Sequence, residues 1–124
     1  MKIAFTSCSR YEAFKEQKEW DYIYDEDPDY VFLLGDNIYM DYGIWPFTKE
    51  YIGAPEKYDL EKFTTVMEQK YINQFENVPS FKRLVDRMRA KNGLHAVWDD
   101  HDFAWNNANG ALVDKEKKQV SREL

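Results

Sequence analysis

Three short clusters of side chains in this sequence have the makings of a chemical site. They are Ser7-Cys8-Ser9-Arg10, Gly35-Asp36-Asn37-Ile38-Tyr39 and Asp99-Asp100-His101-Asp102, the last followed by Asn106-Asn107. Together they offer a thiol, carboxylates, a phenol, an imidazole and amides, which are the donor types that bind metal cations. Asp99, Asp100 and Asp102 crowd around His101 and repel one another unless a cation or water offsets them. A carboxylate from each of two clusters can hold two cations as a bridged pair, an arrangement suited to phosphate-ester hydrolysis. Such a pair polarises phosphoryl oxygens, acidifies a bound water and clamps the attacking and leaving oxygens. His101 can protonate the leaving group, and Arg10 can neutralise a non-bridging oxygen.

Taken singly, each piece also has an ordinary explanation. A lone Cys8 can be a small buried hydrophobe. Gly35-Asp36 after a strand can be a turn or a helix cap. Tyr39 lies in an aromatic-rich stretch and can simply pack. His95, inside an apolar run, reads as structural, and the acids from Asp21 to Asp29 read as a solvated face.

Each cluster follows a β-prone run: Lys2–Ser7, Tyr30–Leu34 and Leu94–Trp98. In open parallel α/β sheets the ligand crevice lies outside the carboxyl ends of the strands, so the three clusters are expected to converge on one edge. The second and third runs lack polar alternation, which predicts burial on both faces. Between the strands, residues 14–24 are predicted as a helix with Phe14, Trp20 and Ile23 buried, ended before Pro28. Residues 35–58 read as irregular. A helix over 59–76 is predicted from a candidate N-cap, Asp59, and an i+4 stripe of Phe63, Met67, Tyr71 and Phe75. Pro79 breaks it, and Ser80 is expected to cap a second helix with Phe81, Leu84, Val85 and Met88 inward and Gly93 at its end. Residues 111–124 read as a charged helical tail. The order β-α-β-loop-α-α-β-α predicts an α/β domain with a mostly parallel sheet. Three strands make a thin sheet whose open edge predicts association there or with a complementing chain.

Composition narrows the choice of function. The 124 residues are 44% hydrophobic and 32% charged, which excludes a disordered chain or one embedded in a membrane throughout. Aromatic residues reach 17% and supply ample material for a core. With 17 basic against 23 acidic side chains the net charge is −6, which argues against nucleic acid as a partner. A single cysteine excludes an internal disulfide. The longest apolar run is too short to span a bilayer, and Met1-Lys2 leads directly into the first strand with no export signal. The expected address is the cytoplasm, with no membrane partner.

In order and in context, the three clusters resemble the leading motifs of the PhoD-like alkaline phosphatase family, a branch of the calcineurin-like metallophosphoesterases. The residues that carry the resemblance are Ser7-Cys8-Ser9, Gly35-Asp36-Asn37-Ile38-Tyr39 and the run from Trp98 to Asn107, over about residues 2–110. The resemblance implies the N-terminal half of an α/β/β/α sandwich, with residues 1–124 as a truncated N-terminal portion of one domain. It implies hydrolysis of a small phosphate ester, mono- or diester, by metal-bound hydroxide, with iron and calcium as the family's metals. By motif, Cys8 and Tyr39 would ligate iron, Asp36 would bridge the metals, and Asn106 would ligate the second. Asp99 and Asp100 belong to the signature, with their individual roles open. His101 would sit near the substrate, and Arg10 would bind phosphate. The family's later histidine motifs have no counterpart here, where the only histidines are His95 and His101. Two other readings therefore stand beside the phosphatase: an inactive remnant or part of a split enzyme, and a small acidic cation-binding module.

Overall fold

A computed structural model describes residues 1–43 and 60–109. The elements are β1 (Ile3–Thr6), α1 (Glu19–Asp25), β2 (Tyr30–Leu33), α2 (Leu60–Phe75), α3 (Pro79–Ala90), β3 (Leu94–Ala96) and α4 (Asp100–Phe103). The strands form one sheet in the order β1-β2-β3, and both pairings are parallel. The domain is α/β, as the alternation of elements predicts.

One face of the sheet is covered. Val31 and Leu33 point into a core with Trp20 of α1 and Phe81, Leu84, Val85 and Met88 of α3. Trp20 and Phe81 meet with ring centroids 4.5 Å apart. The apolar stripe of α3 comes from the i, i+3, i+4, i+7 spacing of those four residues, all buried. A second core joins α2, through Phe63 and Met67, to Ile38 and Met40 after β2 and to Ala104 and Ala108 after α4. The long helix α2 therefore reaches the segment that carries the candidate site.

Among the described residues, nothing covers the other face of the sheet. Ile3 pairs with Tyr30, and Phe5 pairs with Phe32, which in turn pairs with His95. Residues in register on a parallel sheet share a face, and here Ile3 is 48% and Phe5 73% exposed. His95 stacks on Phe32 with centroids 4.9 Å apart, so its role is packing on this open face and not within a core. The expectation of burial on both faces is thus corrected: an unbroken apolar run shows what a strand could bury, and here one face has no covering layer among the described residues.

Three further expectations shift. The first helix begins at Glu19, and Phe14 lies outside it with 71% of its surface exposed. Ser80 is not the cap of α3, which starts at Pro79 after an extended Val78. Its hydroxyl instead donates to the Glu16 and Gln17 carbonyls, tying α3 to the segment before α1. The third strand ends at Ala96, and its successors Val97 and Trp98 are more than half exposed. The proposed cap Asp59 and the charged tail 111–124 lie outside the described residues. Among the described residues, no helix is long and apolar enough to cross a membrane.

Candidate metal centre

The loops after β1, β2 and β3 meet at the carboxyl edge of the sheet. Backbone bonds lock the first two together: Cys8 N donates to Gly35 O at 3.2 Å and Ser9 N to Asp36 O at 2.9 Å. Val97 N donates to Leu33 O at 2.9 Å, and Asn37 Nδ2 to Val97 O at 3.0 Å, which brings in the third. Cys8, Gly35 and Asp36 all have positive φ, at 63°, 104° and 54°. For Cys8 and Asp36 this left-handed backbone is strained, and strain of this kind collects at functional sites. Gly35 has a second reason to be glycine, because a Cβ there would lie 2.5 Å from the Cβ of Asp99.

Asp36 is the centre of the arrangement. Its Oδ2 accepts from Cys8 Sγ at 3.5 Å and from Tyr39 Oη at 3.3 Å. Its Oδ1 is buried and has no hydrogen-bond partner among the described residues. A buried carboxylate oxygen without a donor is costly, and a cation would supply what is lacking. One ligand atom each from Asp36, Asp100 and His101 lies within 4.8 Å of the other two, a spacing that one ion can bridge. The oxygen and nitrogen donors fit a metal cation. Burial, hydrogen bonding with Cys8 and the charge of Asp36 push the Tyr39 phenol well above its usual range. Without a cation beside it, Tyr39 is a neutral donor.

The run from Asp99 to Asp102 divides its work. Asp99 is the N-cap of α4, its side chain accepting from Asp100 N at 2.9 Å in a capping box with Asp102. Asp102, fully buried, accepts from Asn37 N at 2.8 Å, Ile38 N at 3.1 Å and Asp99 N at 3.0 Å. It thereby fastens α4 to the loop after β2. Asp100 accepts from His101 N and Asn107 N. It is the only one of the three acids whose oxygen joins the cluster with Asp36 and His101.

The remaining site candidates lie around this centre. The His101 ring sits 4.4 Å from that of Tyr39, and its Nδ1 is 2.8 Å from Oδ1 of Asp41. Arg10 lies over the ring of Tyr42 at 4.0 Å, and Tyr42 meets Tyr39 edge-on at 5.7 Å. Asn106 is exposed, and its backbone N–H donates to Asp41 Oδ2 at 3.0 Å. A cavity of about 240 Å³ beside the Cys8–Arg10 loop is lined by Phe14, Trp20 and Ile23.

Sequence reasoning passed over Asp41, and it placed Asp102 in the third cluster without a role of its own; both are fully buried. Asp102 had a signal, because an acid three residues after an N-cap acid is a capping-box pattern. Asp41 had none, since its partners His101 and Asn106 are about sixty residues away along the chain.

A family model for PhoD-like phosphatases matches residues 3–123, and the chain belongs to that family. No curated protein and no solved structure matches it.

Proposed function

We propose that this chain carries the N-terminal portion of a metal-dependent phosphate-ester hydrolase of the PhoD-like family. The observation that supports the reading best is the unpartnered, buried Asp36 Oδ1, with donors from Asp100 and His101 within reach of the same point. Asp36, Asp100 and His101 would hold a cation there, with Cys8 and Tyr39 adding a thiol and a phenol beside Asp36. When bound, iron or calcium would polarise the phosphoryl group and acidify a water. The capping box and Asp102 hold these donors in place, which favours a site that is preorganised. Arg10, at the rim over Tyr42, would meet a non-bridging phosphate oxygen.

A second reading, a split enzyme or inactive remnant, draws support from the sheet face around Phe5, which nothing among the described residues covers. In the split form, a layer packed on that face would bring further ligands. The two readings separate on hydrolysis of an aryl phosphate mono- or diester by the native-length protein. The hydrolase reading expects turnover that a chelator abolishes, that added metal restores, and that Asp36→Asn lowers by more than about tenfold. Turnover insensitive to chelator, or a loss below tenfold, would overturn it. Absence of turnover together with metal binding that Asp36→Asn abolishes would favour the remnant.

A further inference from the structure

We propose that Lys70 is the positioning residue for the Arg10 guanidinium. Its ammonium group ties together the two loops whose side chains, Arg10 and Tyr42, form the stack at the rim of the site. The functional sense of the inference rests on the reading of Arg10 as the group that meets a phosphate oxygen.

Arg10 and Tyr42 are both half-buried, and the guanidinium lies 4.0 Å over the ring. Among the described residues no hydrogen bond or ion pair engages that guanidinium, so within that set nothing competes with an anion for its N–H donors. A cation–π contact at such a position is weak, and the stack persists only if the two segments that carry it are held at the right separation.

Lys70 supplies that hold. Its Nζ donates to Glu12 Oε1 at 2.7 Å and to Gly43 O at 3.2 Å. Glu12 belongs to the turn that Arg10 opens, in which Ala13 N and Phe14 N both donate to Arg10 O at 3.2 Å. Gly43 directly follows Tyr42, whose N donates to Tyr39 O at 3.3 Å. A single ammonium group therefore fixes the loop after β1 against the loop after β2, one residue or two from each partner in the stack. Phe63, Met67 and Lys70 share one face of α2 at i, i+4, i+7 spacing, and the first two are packed in the core with Ile38 and Met40. The Lys70 side chain is only 1% exposed, so it acts through the segments it joins and does not itself meet an ester.

Stability alone does not account for this pair. Burying two charges costs about as much as their attraction returns, and apolar side chains of similar volume serve as well. Apolar side chains cannot, however, donate to the Gly43 carbonyl or fix the direction in which Glu12 is held.

The test is proton NMR of the arginine side chains in the metal-free chain. A guanidinium stacked on an aromatic ring has its Cδ and Nε protons in the shielding region of that ring, which displaces their signals upfield. An Arg10→Lys variant assigns the Arg10 signals by their disappearance. Arg83 and Arg87 stack on Tyr24 and report independently that α1 and α3 remain packed. In the double variant Glu12→Leu with Lys70→Met, the displacements of Arg83 and Arg87 are expected to persist and that of Arg10 to be lost. A double variant that keeps all three makes the pair a packing element only and overturns the proposal. Arg10 signals without upfield displacement in the unsubstituted protein overturn it equally, and that result does not require the double variant to fold. Neither outcome depends on a bound metal or on hydrolysis, so a failure here is distinct from a failure of the phosphatase reading.

Discussion

Replacing Asp102 by alanine would separate the acid that builds this site from the acids that serve its chemistry. The carboxylate accepts three backbone N–H groups, from Asn37, Ile38 and Asp99. Asn37 and Ile38 are buried, so their donors would be stranded, at about 1–3 kcal/mol each. Asp99 is exposed, and water can satisfy its N–H. Against this loss stands the relief of taking a charge out of a buried position, since burial pushes the Asp102 carboxyl above its usual range. The net expectation is a destabilisation of about 2–4 kcal/mol. Urea unfolding monitored by tryptophan fluorescence would show it as a midpoint lowered by roughly 1–2 M at unchanged slope. Asp99→Ala, which removes only the helix cap, should cost about 0.5–2 kcal/mol. Asp100→Asn should stay within about 1 kcal/mol in stability and yet abolish cation binding, because its oxygen belongs to the cluster with Asp36 and His101. The reasoning is refuted if Asp102→Ala costs less than about 1 kcal/mol while Asp100→Asn destabilises strongly.

Two further substitutions probe the frame around the site. Gly35→Ala combines a φ of 104° with a Cβ placed 2.5 Å from that of Asp99, so a loss of about 2–5 kcal/mol and weaker cation binding are expected. An unchanged unfolding midpoint would contradict the close approach. Lys70 Nζ and Glu12 Oε1 form an ion pair 2.7 Å long and almost wholly buried. Lys70→Met alone should cost about 3–5 kcal/mol by stranding Glu12, whereas Glu12→Leu with Lys70→Met should be near neutral. Burial, opposed by Glu12, lowers the Lys70 pKa below its ordinary 10.5. Between that lowered value and 10.5 the unfolded chain binds more protons, so stability rises with pH there. The double variant should lack that rise, and parallel pH–stability curves for the two proteins would refute the assignment.

Several features were legible in the residues alone because they depend on neighbours in sequence. The stripe of Phe81, Leu84, Val85 and Met88 dictated the buried face of α3, and three apolar runs dictated three strands. Parallel order followed from the alternation of strands with helices, and the placing of polar clusters at strand ends followed from parallel order. The start of α1 was not legible, because the apolar character of Phe14 says nothing about whether a partner surface exists. The same holds for the sheet: β2 is apolar throughout, but among the described residues only Val31 and Leu33 find helices to pack against.

Within the site, the chain by itself determined which donor types were present and that three strand ends would carry them. Which donors face one another was decided only by tertiary structure. Asp99, Asp100 and Asp102 are the same residue type within four positions, yet one caps a helix, one joins the candidate cation cluster and one is a buried fastener. Helical geometry turns neighbouring side chains about 100° apart, so their environments diverge although their chemistry is identical. Asp41 shows the same limit most clearly. Its role comes from an imidazole sixty residues away, and no local pattern encodes a contact that the packing of α4 against the loop after β2 creates.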